Sequence, residues 1–317
     1  MSEISDTDLA KLLQSVVANA KTTEEEIKET KAEIKKIVKK PNEHGLPSWF
    51  KLSKFGEQIA GELEGYIEES DPTLLIGGTG MGKTVILEMI AKKLKRDSVG
   101  FNCYTGMDIA QLIGIWRPTA SGEITWQDGV LSEGIRNGAI IRIEEYTRAN
   151  PELKSRLFGI LDSRNRSWNL FENGTKDIHV PKQTVIVASA NPTGNGYTGT
   201  MREDKASMSR FAGVLRIDEP LADEKHALMD TLENEKLVDR IMNFADACRK
   251  DKTTYLSTRD LHFFAKAIKR GIDPKRVCET VLMPKYEGND SAILTQARAY
   301  FEEFDVKDLD SVVEESV

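Results

Sequence analysis

The stretch Gly77-Gly78-Thr79-Gly80-Met81-Gly82-Lys83-Thr84 constrains the fold of this chain more than any other. Thr73-Leu74-Leu75-Ile76 before it reads as a buried strand, and Thr84-Val85-Ile86-Leu87-Glu88-Met89-Ile90-Ala91 after it reads as an amphipathic helix. A glycine-rich turn between strand and helix is the setting of a phosphate-binding loop. Glycines at 77, 80 and 82 let the backbone wrap closely around a triphosphate, so that its N–H groups and the helix N-terminus face the anion. Lys83 is then expected to reach the terminal phosphates and the Thr84 hydroxyl to ligate magnesium, so ATP and Mg2+ are the expected ligands of residues 77–84. A chance Gly-rich turn is the competing reading, and the match on both flanks counts against it.

Four more short apolar runs follow the same rhythm. Val99–Asn102, Ala139–Ile143, Val185–Ala190 and Gly213–Ile217 alternate with helical patterns between about Phe55 and Asp218. Five buried strands separated by helices predict an α/β fold with a five-stranded parallel sheet covered on both faces. After Asp218 the strand signal stops, and helices are expected near 222–234, 236–249, 258–270, 274–282 and 291–304. A chain of 317 residues with 39% hydrophobic content can bury one large core and a smaller one. The expected division is a charged helical extension and linker (1–48), an α/β nucleotide-binding domain (49–220), an α-helical lid (221–304) and an acidic tail (305–317). Within the extension, apolar positions in 7–40 fall at mostly helical spacing, over too few heptads for a coiled coil, and Lys40–Pro47 breaks the pattern with Pro and Gly.

Composition narrows the partners. No run approaches the roughly 18 apolar residues of a membrane span, and the N-terminus lacks a signal pattern, so a cytoplasmic protein without a membrane partner is expected. The net charge of −7 repels polyanions, which leaves nucleic acid to a local basic patch such as Lys92-Lys93-Leu94-Lys95-Arg96 or Arg164-Asn165-Arg166. Cys103, Cys248 and Cys278 are far apart and read as reduced core thiols; His44, His179, His226 and His262 form no metal-binding pair.

Hydrolysis needs carboxylates beside the loop. Ala139-Ile140-Ile141-Arg142-Ile143-Glu144-Glu145 is an apolar strand ending in paired acids. Glu144 is the candidate on the metal side, and Glu145 the candidate that activates water. Two acids capping a strand at the surface is the plainer alternative. A second strand, Val185–Ala190, ends in Asn191, whose amide is placed to hold the attacking water or, more plainly, to start a turn before Pro192.

With these residues in place, the chain from about 55 to 270 resembles the AAA+ ATPases, and within them the MoxR group and the related ATPase subunit of cobalt chelatase. The resemblance rests on Met107-Asp108-Ile109-Ala110-Gln111-Leu112-Ile113-Gly114, on Trp126-Gln127-Asp128-Gly129-Val130-Leu131, on Glu145-Tyr146-Thr147-Arg148-Ala149-Asn150-Pro151 and on Ala190–Thr200 running to Ser209-Arg210-Phe211. It implies that Arg210 is an arginine finger reaching a neighbouring subunit's nucleotide, and that Arg259, in Leu256-Ser257-Thr258-Arg259-Asp260-Leu261, is the lid's sensor arginine within its own subunit. Without it, both arginines would read as surface ion-pair partners. It further implies a ring, normally a hexamer, acting on a client or on an adaptor with a metal-binding adhesion-type domain.

Two positions depart from the family pattern, which usually has Asp at 144 and an apolar residue at 142. The longer Glu144 implies slower turnover, and Arg142, on the same strand face, could tie it up in an ion pair. Ser167–Val180 reads as a hairpin closed by an Asn173-Gly174 turn that faces either a client or its own domain. Trp116 and Trp126 are likewise either core aromatics or client contacts. Three functions therefore compete: a ring ATPase remodelling a protein complex, a nucleic-acid translocase or defence motor on the same core, and a nucleotide-gated assembly module with little turnover. The acidic balance and the insertion favour the first.

Overall fold

A computed structural model describes residues 49–162, 166–192, 205–250, 256–285 and 290–301. The expected helices in 7–40, the linker at 40–47, the Gly-rich segment 193–200, the basic pair Arg164-Asn165 and the tail 305–317 lie outside these residues.

Ser53 opens helix α1 (Lys54–Glu68) by accepting a hydrogen bond from Gly56 N on its hydroxyl. Ile59, Ala60, Leu63 and Ile67, with Leu63 three and four residues after the first two and Ile67 four further on, bury one face of it. Strand β1 (Thr73–Gly77) leads through the loop into α2 (Lys83–Lys93), then β2 (Ser98–Asn102), α3 (Ala110–Ile113), the hairpin β3 (Gly114–Pro118) and β4 (Ile124–Asp128), and α4 (Val130–Arg136). Strand β5 (Ile140–Glu144) runs into a 3-10 turn at Tyr146–Arg148 and α5 (Pro151–Leu161), followed by β6 (Trp168–Leu170), β7 (Thr175–Ile178), β8 (Val185–Ala190), α6 (Lys205–Met208) and β9 (Gly213–Ile217). The five apolar runs are the five strands of one sheet, ordered β2-β5-β8-β1-β9 and parallel throughout. All of β8 is buried, as expected of a central parallel strand with both faces covered. The crossovers leave the carboxyl ends of β1, β5 and β8 side by side, where open α/β sheets place their ligands.

The hairpin at 167–180 forms, with Trp168 opposite Ile178 and Leu170 opposite Thr175. Its turn differs from the expected Asn-Gly turn: Phe171–Asn173 wind into a 3-10 turn, and Gly174 alone takes the left-handed conformation, at φ 77°. Trp168 and Leu170 are buried in the main core while Phe171 at the tip is 64% exposed, so the hairpin packs on its own domain and shows one aromatic outward. The other insertion divides in the same way. Trp126 packs against the core, and Trp116 stands edge-on to it at 5.7 Å, half exposed, donating its indole N–H to Glu172 O.

Beyond β9 the described residues are helical: α7 (Glu224–Leu232), α8 (Glu235–Lys250), α9 (Thr258–Lys269), α10 (Pro274–Val277) and α11 (Asp290–Phe301). The single helix expected at 274–282 instead changes at Cys278–Leu282 to a π-helix, whose Cys278 and Leu282 are both buried. A separate core built on Phe244, Phe264 and Phe301 holds this part together. Glu224, buried at the start of α7, accepts from the two terminal guanidinium nitrogens of Arg249 (2.7 and 2.8 Å) and from the Thr258 hydroxyl (2.7 Å), fixing the beginning of α9. Leu52 and Ala222 form an antiparallel bridge, and Leu221 N donates to Met81 O, tying the start of the helical part to the phosphate loop.

Candidate nucleotide site

The loop is a cradle that only glycine permits at two positions. Gly80 and Gly82 hold φ of 78° and 100°, which side-chain-bearing residues rarely adopt, and a Cβ on Gly80 would meet the Ser257 hydroxyl at 2.7 Å. Helix α2 starts directly after Gly82, so its free N–H groups face the space above the loop. That space is a cavity of about 660 Å3, lined by Thr79–Thr84 on one wall and by Glu144, Glu145, Ser189 and Asn191 on the other.

Lys83 Nζ donates to Gly77 O (2.7 Å), Gly78 O (2.8 Å) and Asn191 Oδ1 (3.4 Å). Burial pushes its ammonium down to about 8, against the opposing pull of Glu145 and Glu144. The same Asn191 donates its amide N–H to both oxygens of Glu145, at 3.0 and 3.1 Å. One amide therefore bridges the cation and the carboxylate, its oxygen toward Lys83 and its nitrogen toward Glu145. Glu145 itself sits at φ 55°, ψ 39°, a left-handed backbone unusual for glutamate, at the point where the chain turns from β5 into the 3-10 turn. Arg148, on that turn, approaches its carboxylate at 3.6 Å.

Glu144 accepts hydrogen bonds from Thr84 Oγ1 at 3.0 Å to each oxygen and from Ser189 Oγ at 3.1 Å. The expected ion pair with Arg142 does not form. Arg142 lies opposite Gly100 in the sheet register, and with no side chain there its guanidinium crosses β2 to Glu88 on α2, at 3.2 Å. Thr84 and Glu144 make an all-oxygen donor set that fits a hard divalent cation such as Mg2+. Among the described residues no group of three His, Cys, Asp or Glu could cage a metal by itself.

The cavity's far end holds residues that spacing did not single out. Trp49, Phe50, Ala222, Thr258, Arg259 and His262 line it, and Trp49 stacks on His262 with centroids 4.6 Å apart at 27°. These residues are distant in sequence; the Leu52–Ala222 bridge, the bonds of Ser53 N to Leu221 O and Asp223 N to Lys51 O, and the Thr258–Glu224 bond bring them to one wall. Arg259 thus shares the cavity with the loop, whereas Arg210 is outside its lining and rests on the ring of Phe158.

Residues 72–211 match the AAA domain of the dynein-related subfamily. An uncharacterized protein of Staphylococcus aureus is 30% identical over 183 residues, spanning 56% of this chain and 67% of the relative. The denitrification regulatory protein NirQ of Pseudomonas aeruginosa is 29% identical over 217 residues, spanning 67% of this chain and 81% of NirQ. The chain belongs to the MoxR-like AAA+ ATPases. NorQ of Paracoccus denitrificans is a further relative, 28% identical over 247 residues that span 75% of this chain and 85% of NorQ. As an AAA+ ATPase the protein binds nucleotide and hydrolyses ATP. No helix among its described residues is long and apolar enough to cross a membrane.

Proposed function

We propose that this AAA+ ATPase is a Mg-ATP-driven homo-oligomeric ring, a hexamer, whose cycle remodels or activates a client protein complex in the cytoplasm. The observation that carries the reading is the chain of contacts Lys83–Asn191–Glu145 beside Thr84–Glu144, in one cavity with Arg259. Such a set suits phosphoryl transfer to water, where positioning and charge stabilisation supply most of the catalysis.

In this reading Gly77–Thr84 cradle the phosphates, and Lys83, released from the carbonyls of Gly77 and Gly78, turns its charge to the terminal one. Thr84 and Glu144 would hold Mg2+, which would neutralise phosphate charge. Glu145 takes the proton of the attacking water, and Asn191 orients both groups. Arg259 contacts phosphate within its own subunit. Arg210, lying outside its own cavity, serves the neighbour's site, which makes hydrolysis a property of the assembled ring. The exposed Trp116, Ile124 and Phe171 on the two hairpins are the client-facing surface of this reading. The likeness to NirQ, described as a denitrification regulatory protein, supports a regulatory role.

Two measurements test this. Light scattering with and without ATP reads assembly, and a Glu145→Gln variant, which should bind ATP without splitting it, serves as bait for the client in the native host. A particle that stays monomeric with ATP, or a bait whose captured proteins are unchanged by ATP, overturns the ring-remodelling reading.

A further inference from the structure

The residues that follow Glu145 and the residues that carry Arg210 are joined by two aromatic contacts. The Arg210 guanidinium lies over the Phe158 ring of α5, 4.2 Å from its centroid, well inside the range of cation–π attraction. Next in sequence, Phe211 meets Tyr146 edge-to-face at 5.4 Å and 89°. Tyr146 is the first residue after Glu145 and is fully buried. Phe158 is partly buried against the main core, so its ring is a firm platform. Arg210 is only partly buried and follows a single short helical turn, Lys205–Met208, so its own element gives it little support.

We propose that Phe158 is the positioning residue for Arg210, setting where the guanidinium stands before it meets the adjoining subunit's nucleotide. The inference rests on the reading of Arg210 as a group that acts in the neighbouring site. Because Phe158 and Tyr146 both belong to the segment leaving Glu145, a movement of that segment on nucleotide binding shifts Arg210 and Phe211 together. The state of one site is thereby passed to the next through two ring contacts. The ring face is what matters. An aliphatic side chain of similar bulk preserves the packing of α5 but removes the quadrupole that attracts the cation.

The test uses full-length chain with Phe158→Leu, Phe158→Tyr, Arg210→Ala and Lys83→Ala variants, alone and mixed, with thermal unfolding confirming that each is folded. Phe158→Leu alone is expected to lower turnover about tenfold with ATP affinity unchanged, and Phe158→Tyr to retain it. Lys83→Ala supplies a dead site together with an intact Phe158 and Arg210. Mixed with excess Lys83→Ala, both Arg210→Ala and Phe158→Leu subunits should regain turnover, since their own sites then face an intact neighbour. Recovery of Arg210→Ala without recovery of Phe158→Leu places the role of Phe158 inside its own subunit and overturns the proposal, leaving the neighbour-acting arginine standing. If Arg210→Ala does not recover either, the neighbour-acting reading fails and this inference falls with it. Equal turnover of Phe158→Leu and wild type also overturns it.

Discussion

Asn191 holds both carboxylate oxygens of Glu145 through its amide nitrogen while its amide oxygen faces the Lys83 ammonium. A single neutral side chain thereby links the two charged groups. Replacing it by alanine removes a positioned donor from a confined site, a loss worth about 10²-fold in turnover. Asn191→Ala should lower kcat by that order while ATP affinity stays within about threefold, because the loop and Lys83 remain. Phosphate release and fluorescent-nucleotide titration measure the two; equal losses in both would place Asn191 in binding instead.

Lys83 predicts a pH signature. Burial lowers its proton affinity to about 8 in the empty site, with Glu145 and Glu144 opposing and Arg259 assisting. Between that value and the ordinary lysine value of 10.5, the unfolded chain holds a proton that the folded, empty site has released. The empty protein therefore gains stability as pH rises through this window. Phosphate favours the ammonium, so ATP binding near pH 8 should take up about half a proton, and affinity should fall as pH rises further. Calorimetry in two buffers of different ionisation enthalpy reads the uptake. Binding without proton uptake at pH 8 to 9 would contradict it.

The loop, the five strands and the paired acids were legible because each is written in contiguous residues, an apolar run or a glycine spacing that local physics interprets. What escaped depends on partners far apart in the chain. Arg142 was expected to seek Glu144 two residues away; its path to Glu88 exists only because Gly100 sits opposite it in the register of a neighbouring strand. Trp49 and His262 gave no signal of their own, since their stack joins residues more than two hundred positions apart. The Asn173-Gly174 pair was read as a tight turn, but Phe171 begins a 3-10 turn whose tip stays outside the core.

Glu144 reaches Thr84 directly, at 3.0 Å to each oxygen, with a side chain one methylene longer than aspartate. Glu144→Asp withdraws the carboxylate by one methylene and should raise turnover and lower the Mg2+ concentration needed for half-maximal rate. Glu144→Gln removes the charge and should lower turnover at least tenfold, or about 1.4 kcal/mol in barrier. A magnesium titration of phosphate release distinguishes them, and no change in either variant would remove Glu144 from the metal site.

Arg166 ties three backbone carbonyls, those of Ser70, Lys182 and Thr184, at the amino-terminal edge of the sheet, far from the loop. Arg166→Met leaves them without that donor and should destabilise the protein by about 2–4 kcal/mol. Turnover per folded molecule should be unaffected. Denaturant unfolding checks the first statement and an assay at low temperature the second; unchanged stability would show that water replaces the guanidinium without loss.

In the proposed cycle Glu145 activates the attacking water, while the loop and Arg259 hold the nucleotide without it. Single-turnover phosphate release by Glu145→Gln, with bound ATP quantified in the same sample, tests this most directly. Retained ATP with hydrolysis slowed by about 10²–10⁴-fold is the expected result. Hydrolysis within about threefold of wild type, or loss of bound ATP, would contradict it.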